Sequence, residues 1–278
     1  MPMTAVRKTK ENGREMIFNM PAEEYHSLER FSASGIKKIL VSAQDFWCSS
    51  WMNKDKYEEK SDAFNLGTAY HTRILDGQGA FDERYAVKPD ADRRTAAGKQ
   101  AWEEWREKHP SADPVDLRTY NEICASKAIS KFDGGHPEVT VLWDDEDTGI
   151  PMKSRIDYLL PGHIMDLKTF SNSNGMSLDR LLANHIVKYR YHVQAAVYRT
   201  AVPNCDFTFV FQQVGQVNNC IVKDFPSELL MADQGRNLMR QGIEKFAAMY
   251  KKYGVAPWYD EFDEAFTDYS FPVYALEE

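Results

Sequence analysis

Asp166 and Lys168 sit two residues apart in HIMDLKTF, residues 163–170, an otherwise apolar run of strand character. A strand sends alternate side chains to opposite faces, so Asp166 and Lys168 share one face while Met165 and Leu167 take the other. A second carboxylate, Asp157, lies in KSRIDYLL, separated from that run by the short Pro161-Gly162 turn. Adjacent strands joined so tightly let Asp157 and Asp166 converge at one sheet end. Two hard oxygen ligands there suit Mg²⁺ or Mn²⁺, which keep waters and accept phosphate oxygens in their remaining positions. His71, in LGTAYHTRIL, adds a nitrogen that Mn²⁺ tolerates well and Mg²⁺ adequately. Such an ion polarises a phosphoryl oxygen and lowers the pKa of its bound water. Lys168 can orient that water or stabilise the charge developing on phosphorus. Gln194 and Tyr198, at i and i+4 in YHVQAAVYR, share one helix face.

Each residue has a plainer reading when taken alone. Asp166 and Lys168 on their spacing are an exposed ion pair, and His71 is a satisfied helix histidine. Glu138 opens PEVTVLW as a solvated glutamate, Gln194 and Tyr198 cap a core, and Ser32 and Ser34 cap a helix. Their occurrence together and in order is what favours chemistry. His136, His163, His185 and His192 read as structural. Trp102 and Trp105 fit a partly buried helix face better than a base-stacking platform.

The elements that must position these groups follow from periodicity. Residues 1–18 read as a flexible tail, and residues 19–278 as one domain. SASGIKKILVSAQDFW reads as a single serine-capped helix carrying Ile36, Ile39, Leu40 and Phe46. FNLGTAYHTRILD is a second helix, and residues 90–133 hold two charged helices. PEVTVLWDD, MKSRIDYLL and HIMDLKTF are consecutive strands with tight turns, the first at DEDTG. Two helices, the apolar strand DFTFVFQQV and its partner NNCIVKDF come next. An amphipathic helix over about residues 226–253 closes the pattern. The pattern is α/β, with a mixed central sheet flanked by helices and helical additions.

The order GxxxH, D, DxK, QxxxY resembles the PD-(D/E)xK nuclease superfamily in its RecB-like branch. EEYHSLERFSASGIKKIL, PEVTVLW with its DEDTG turn, and YRYHVQAAVYR further resemble RecE (exonuclease VIII) and related phage exonucleases, over residues 17–213. Asp157 follows Ile156, a departure from the superfamily's proline, which varies among members. The resemblance implies a restriction-endonuclease-like core. It implies metal binding by His71, Asp157, Asp166, the Leu167 carbonyl and Glu138, catalysis by Lys168 with Asp157 and Asp166, and DNA contacts from Gln194 and Tyr198. It also implies a 5′-phosphate seat formed by Ser32, Ser34 and Arg155. The expected activity is Mg²⁺-dependent degradation of linear double-stranded DNA from its ends, 5′ to 3′, with Mn²⁺ able to substitute. The 3′ single strands would pass to an annealing protein. A ring-shaped homo-oligomer in a bacterial cytoplasm, encoded by a phage or prophage, is the implied setting.

Composition bounds these expectations. The 278 residues are 43% hydrophobic and 27% charged, ordinary for a globular chain, with no apolar run of membrane length. With 34 basic and 42 acidic residues the net charge is −8, so any nucleic-acid channel must be a local concentration of positive charge. The four cysteines lack the clustering of an iron–sulfur site, which counts against a Cas4-like nuclease. An idle DNA-end-binding adaptor would have no need of His71, Asp157, Asp166 and Lys168 together.

Overall fold

Three strands that carry acidic side chains lie side by side in the middle of one sheet, and the rest of the chain braces them. The computed structural model describes residues 6–11, 13–56, 65–173, 175–215 and 217–260. The chain starts with the hairpin β1 (Arg7–Glu11) and β2 (Arg14–Phe18), then α1 (Ala22–Ser27), the two-residue strand β3 (Phe31–Ser32), α2 (Ala33–Ile39) and α3 (Ala43–Ser49). Next come α4 (Leu66–His71), a π-helical turn (Thr72–Asp76) and α5 (Gly77–Arg84). A small excursion follows: β4 (Tyr85–Val87), α6 (Ala96–Lys108), β5 (Asp113–Val115) and α7 (Leu117–Cys124). The central strands are β6 (His136–Asp144), β7 (Pro151–Leu160) and β8 (His163–Phe170). Last are α8 (Leu178–Lys188), α9 (Tyr191–Ala201), β9 (Asp206–Gln213), β10 (Cys220–Asp224) and α10 (Leu230–Tyr253).

The sheet runs β1-β2-β6-β7-β8-β9-β10, with β3 paired to β7. It is mixed: β8 and β9 are parallel, as are β3 and β7, and the other pairs are antiparallel. A parallel neighbour needs a crossover, and α8 with α9 supplies it. On one face α2, α3, α8, α9 and α10 bury Ile36, Phe46, Leu182, Val193 and Phe246 against Val139, Ile156, Phe207 and Phe209. On the other, Tyr70, Leu75, Phe81 and Ile123 pack against Tyr158, Met165, Leu167 and Val210. The sheet is therefore the middle of three layers, as the apolar runs of its strands require.

Three sequence expectations change. Residues 7–11 and 14–18 are not a tail: they pair as antiparallel strands, the second of which also pairs with β6 and buries Ile17. Residues 1–5 lie outside the described ones. The helix expected over SASGIKKILVSAQDFW is two, because Ser42 accepts from the Asp45 amide and starts a new helix. The Asp260 carboxylate reinforces that start by accepting from the Ala43 amide at 2.7 Å. The last helix begins at Leu230, after the Pro226 turn.

Candidate active site

The strand register builds a row of carboxylates. Pro137 faces Tyr158 and Val139 faces Ile156, which sets Glu138 opposite Asp157. The β7–β8 ladder ends at Tyr158 with Met165, one step before Asp157 would meet Asp166. There the ladder stops, and the Leu167 amide donates to Asp157 Oδ2 at 2.9 Å. The stop coincides with a change of face. Ile156 belongs to one core and Tyr158 to the other, although residues two apart on a regular strand share a face. Glu138, directly opposite, takes a left-handed φ of 52°, uncommon for a residue with a side chain. Three adjacent strands thus present Glu138, Asp157 and Asp166 at one level, where the ladder stops.

Helix α4 adds His71, whose Nδ1 lies 3.9 Å from Asp157 Oδ2. One ligand atom each from His71, Glu138 and Asp157 falls within 4.8 Å of the others. This set of one imidazole nitrogen and two carboxylates fits a hard or borderline divalent cation. Asp166 lies beside that trio and is held elsewhere: Oδ1 accepts from Gln194 Nε2 at 3.0 Å, and Oδ2 is ion-paired with Lys168 Nζ. Both partners are buried, at 0% and 9% exposure. Lys168 Nζ also lies 5.0 Å from the centre of the Tyr191 ring.

Burial pushes both the Asp157 and Asp166 carboxyls up to about 6, against the pull of Lys168. Burial works against the Lys168 ammonium too, but Asp166 and Asp157 together hold it above the ordinary lysine range. Burial and the nearby Lys168 lower His71 to about 4, so its imidazole is neutral and free to ligate. Burial raises Glu138, opposed by Arg155. Gln194 Nε2 also donates to the Tyr198 hydroxyl at 2.9 Å, and that hydroxyl donates to the Arg155 carbonyl at 2.5 Å. Helix α9 is thereby tied to β7 and β8 through polar side chains on the site's edge.

Residues 32–254 match the family described as a PDDEXK-like domain of unknown function (DUF3799). The chain belongs to that PDDEXK-like family. No curated protein sequence matches this one. Among solved structures, a "Putative exonuclease" from Eubacterium rectale is similar at 16% identity and a TM-score of 0.48, covering 84% of each chain. The protein SSO0001 is similar at 10% identity and a TM-score of 0.30, covering 81% of this chain and 86% of its own.

Within this PDDEXK-like chain the sequence-marked residues fall into two groups. His71, Glu138, Asp157, Asp166, Lys168, Gln194 and Tyr198 come together. Ser32, Ser34 and Arg155 line a pocket of about 230 Å³ together with Glu138, Asp157, Gln194 and Tyr198. Ser32 Oγ lies 2.9 Å from Ser34 Oγ and also caps the Gly35 amide. Arg155 is occupied, paired with Glu138 and donating to the Met20 carbonyl at 3.0 Å. The Leu167 carbonyl accepts from Lys168 Nζ at 3.4 Å. Trp102 and Trp105 stand apart from the site. Their indoles donate to the Ala91 and Val87 carbonyls and anchor α6. Sequence reasoning missed Lys37, which lines the pocket three residues after Ser34, close to one helical turn away. That spacing in SASGIKK was the available signal.

Proposed function

We propose that this chain is a divalent-metal-dependent exodeoxyribonuclease that degrades linear double-stranded DNA from its ends. The observation that carries the reading is the meeting of His71, Glu138 and Asp157 beside the buried Asp166–Lys168 pair. A structural role explains neither a buried ion pair nor a three-carboxylate row, since both cost desolvation that packed apolar residues would avoid. A cation held by His71, Glu138 and Asp157, joined by Asp166 and the Leu167 carbonyl as the family resemblance implies, would polarise a phosphoryl oxygen and acidify a water. Mg²⁺ is the ion proposed, with Mn²⁺ able to substitute.

The side chains do the rest. Lys168 keeps Asp166 ionised and offers its ammonium to the charge that develops on phosphorus. Gln194 fixes the orientation of Asp166, and Tyr198 fixes Gln194. Ser32 and Ser34 offer hydroxyls to a terminal phosphate, and Arg155 adds positive charge on the same wall. The RecE-like pattern supports 5′ to 3′ polarity, a 3′ single strand passed to an annealing protein, a ring-shaped oligomer, and a phage or prophage source.

End-labelled linear and covalently closed circular duplexes, each with Mg²⁺ or with chelator, test the reading. Loss of linear DNA only in Mg²⁺, with the circle untouched, is the expected result. Asp157→Ala and Asp166→Ala should each abolish cleavage while the protein remains folded. Undiminished cleavage by either purified variant overturns the assignment of that residue.

A further inference from the structure

We infer that Lys37 is a second phosphate-binding lysine of this site, contacting the phosphate next to the one being cut. The inference rests on the nuclease reading above and names one more contact in it. Lys37 points from α2 into the pocket that Glu138, Asp157, Gln194 and Tyr198 also line. Its Nζ donates to Gln194 Oε1 at 2.9 Å, the same amide whose nitrogen holds Asp166. It lies 5.5 Å from the Tyr191 ring centre, and Lys168 lies 5.0 Å from it, so two ammonium groups flank one aromatic ring.

Two arguments make an anion the missing partner. An ammonium has three hydrogens to donate, and this half-buried one gives a single hydrogen bond, to a neutral amide, among the described residues. It forms no ion pair with a described carboxylate, although burying a charge is costly without one. The second argument is charge balance. With all groups ionised, Glu138, Asp157 and Asp166 are matched by Lys37, Lys168 and Arg155. A divalent ion held there then leaves the site net positive, which the phosphate groups of a bound strand neutralise. Lys37 lines the pocket with Ser34, while Lys168 lies behind its lining, paired with Asp166 and facing the same Tyr191 ring, so successive phosphates of one strand can each meet a lysine.

Lys37 could instead only brace Gln194. The salt dependence of DNA binding separates the two roles, because each phosphate contact releases counterions and a bracing residue releases none. The full chain is titrated with a short linear duplex in Ca²⁺ over a salt series, and cleavage is followed separately in Mg²⁺. Lys37→Met should reduce the slope of log affinity against log salt by about one and lower kcat/KM about tenfold to hundredfold. Mn²⁺ binding without DNA should stay unchanged, and Lys37→Arg should recover the slope. An unchanged slope in a folded Lys37→Met overturns the proposal whatever happens to the rate. If the unmodified chain binds DNA without cutting it, the nuclease reading fails while the slope still decides the role of Lys37.

Discussion

Burial of Asp157 and Asp166 makes this site sensitive to protonation, and with it to any cation that the carboxylates are proposed to hold. Each carboxyl is raised from 3.8 to about 6 in the folded chain, desolvation being the largest cause. A group whose folded pKa is raised binds more protons folded than unfolded across that interval. Its contribution to stability is therefore full below about 4 and is lost as pH rises through about 6. Metal-free protein should melt at a lower temperature at pH 7.5 than its other groups dictate, with both aspartates ionised and crowded. Millimolar Mg²⁺ should raise the melting temperature more at pH 7.5 than at pH 5, since protons compete with the ion. Asp157→Asn should flatten that difference, and a metal shift equal at the two pH values would contradict the assignment. Lys168 gives a second test. Removing one partner of a buried pair leaves the other uncompensated, a cost of about 3 to 5 kcal/mol. Lys168→Met should therefore melt early without metal, recover part of the loss with Mg²⁺, and still cleave about a hundredfold more slowly. Full activity in that variant would remove Lys168 from the chemistry.

At the scale of elements, the site depends on where α9 lies, and α10 sets that. A methyl group placed on Gly235 would stand 2.3 Å from the His192 carbonyl oxygen, so the two helices meet backbone to backbone. Gly235→Ala must push α10 away or shift α9, which carries Gln194 and Tyr198, at a cost of about 1 to 3 kcal/mol. The expected outcome is a lower melting temperature together with a kcat loss larger than in Gly67→Ala. At Gly67 the added carbon would be 3.4 Å from Thr169 Oγ1, which neighbours tolerate with small adjustments. Equal activity in the two variants would show that α9 placement does not limit turnover. Much of this architecture was legible in the sequence. Asp157, Asp166 and Lys168 could be placed because two apolar runs and a Pro-Gly turn dictate neighbouring strands. Glu138 was harder, since its approach to Asp157 depends on the β6–β7 register and on a left-handed residue that no pattern announces. The hairpin was missed although Asn12-Gly13 stands between its strands, a strong turn signal, because the charged RKTKE masked it. The break at Ser42 was hidden by continuous helical periodicity, and only its capping contacts reveal it.

At the scale of the whole molecule, the net charge of −8 has to coexist with the polyanionic substrate proposed for it. Among the described residues no helix is long and apolar enough to cross a membrane. The first structural answer to the charge problem is a cleft of about 750 Å³ whose lining includes Arg30, Lys38, Lys56 and Lys153. It shares Tyr25, His26, Ser32 and Ser34 with the smaller pocket beside Glu138 and Asp157, so the two adjoin. Positive charge is thus gathered next to the pocket that Glu138 and Asp157 line. Lys153 itself is spent on structure, donating to the Tyr25 and Leu28 carbonyls at 2.9 and 2.8 Å, and Arg30 donates to the Trp143 carbonyl at 2.9 Å and is ion-paired with Asp144 at 3.1 Å. Lys153, which has no carboxylate partner among the described ion pairs, still supplies field to the cleft, while Ser32 and Ser34 stand where the pockets meet. A terminal phosphate carries more charge than an internal one and would gain most at that junction. Linear duplex with 5′-phosphate ends should therefore be digested faster than the same duplex with 5′-hydroxyl ends. The advantage should shrink in Ser34→Ala, which removes one hydroxyl from an exposed position without disturbing the core. It should also shrink in Arg155→Ala, though that variant frees Glu138 as well and must be checked for retained Mn²⁺ binding. Salt must be fixed across the comparison, because backbone binding changes steeply with it. Equal rates on the two ends in the unmodified protein would remove the phosphate seat and leave the metal trio and the Asp166–Lys168 pair to stand on their own tests.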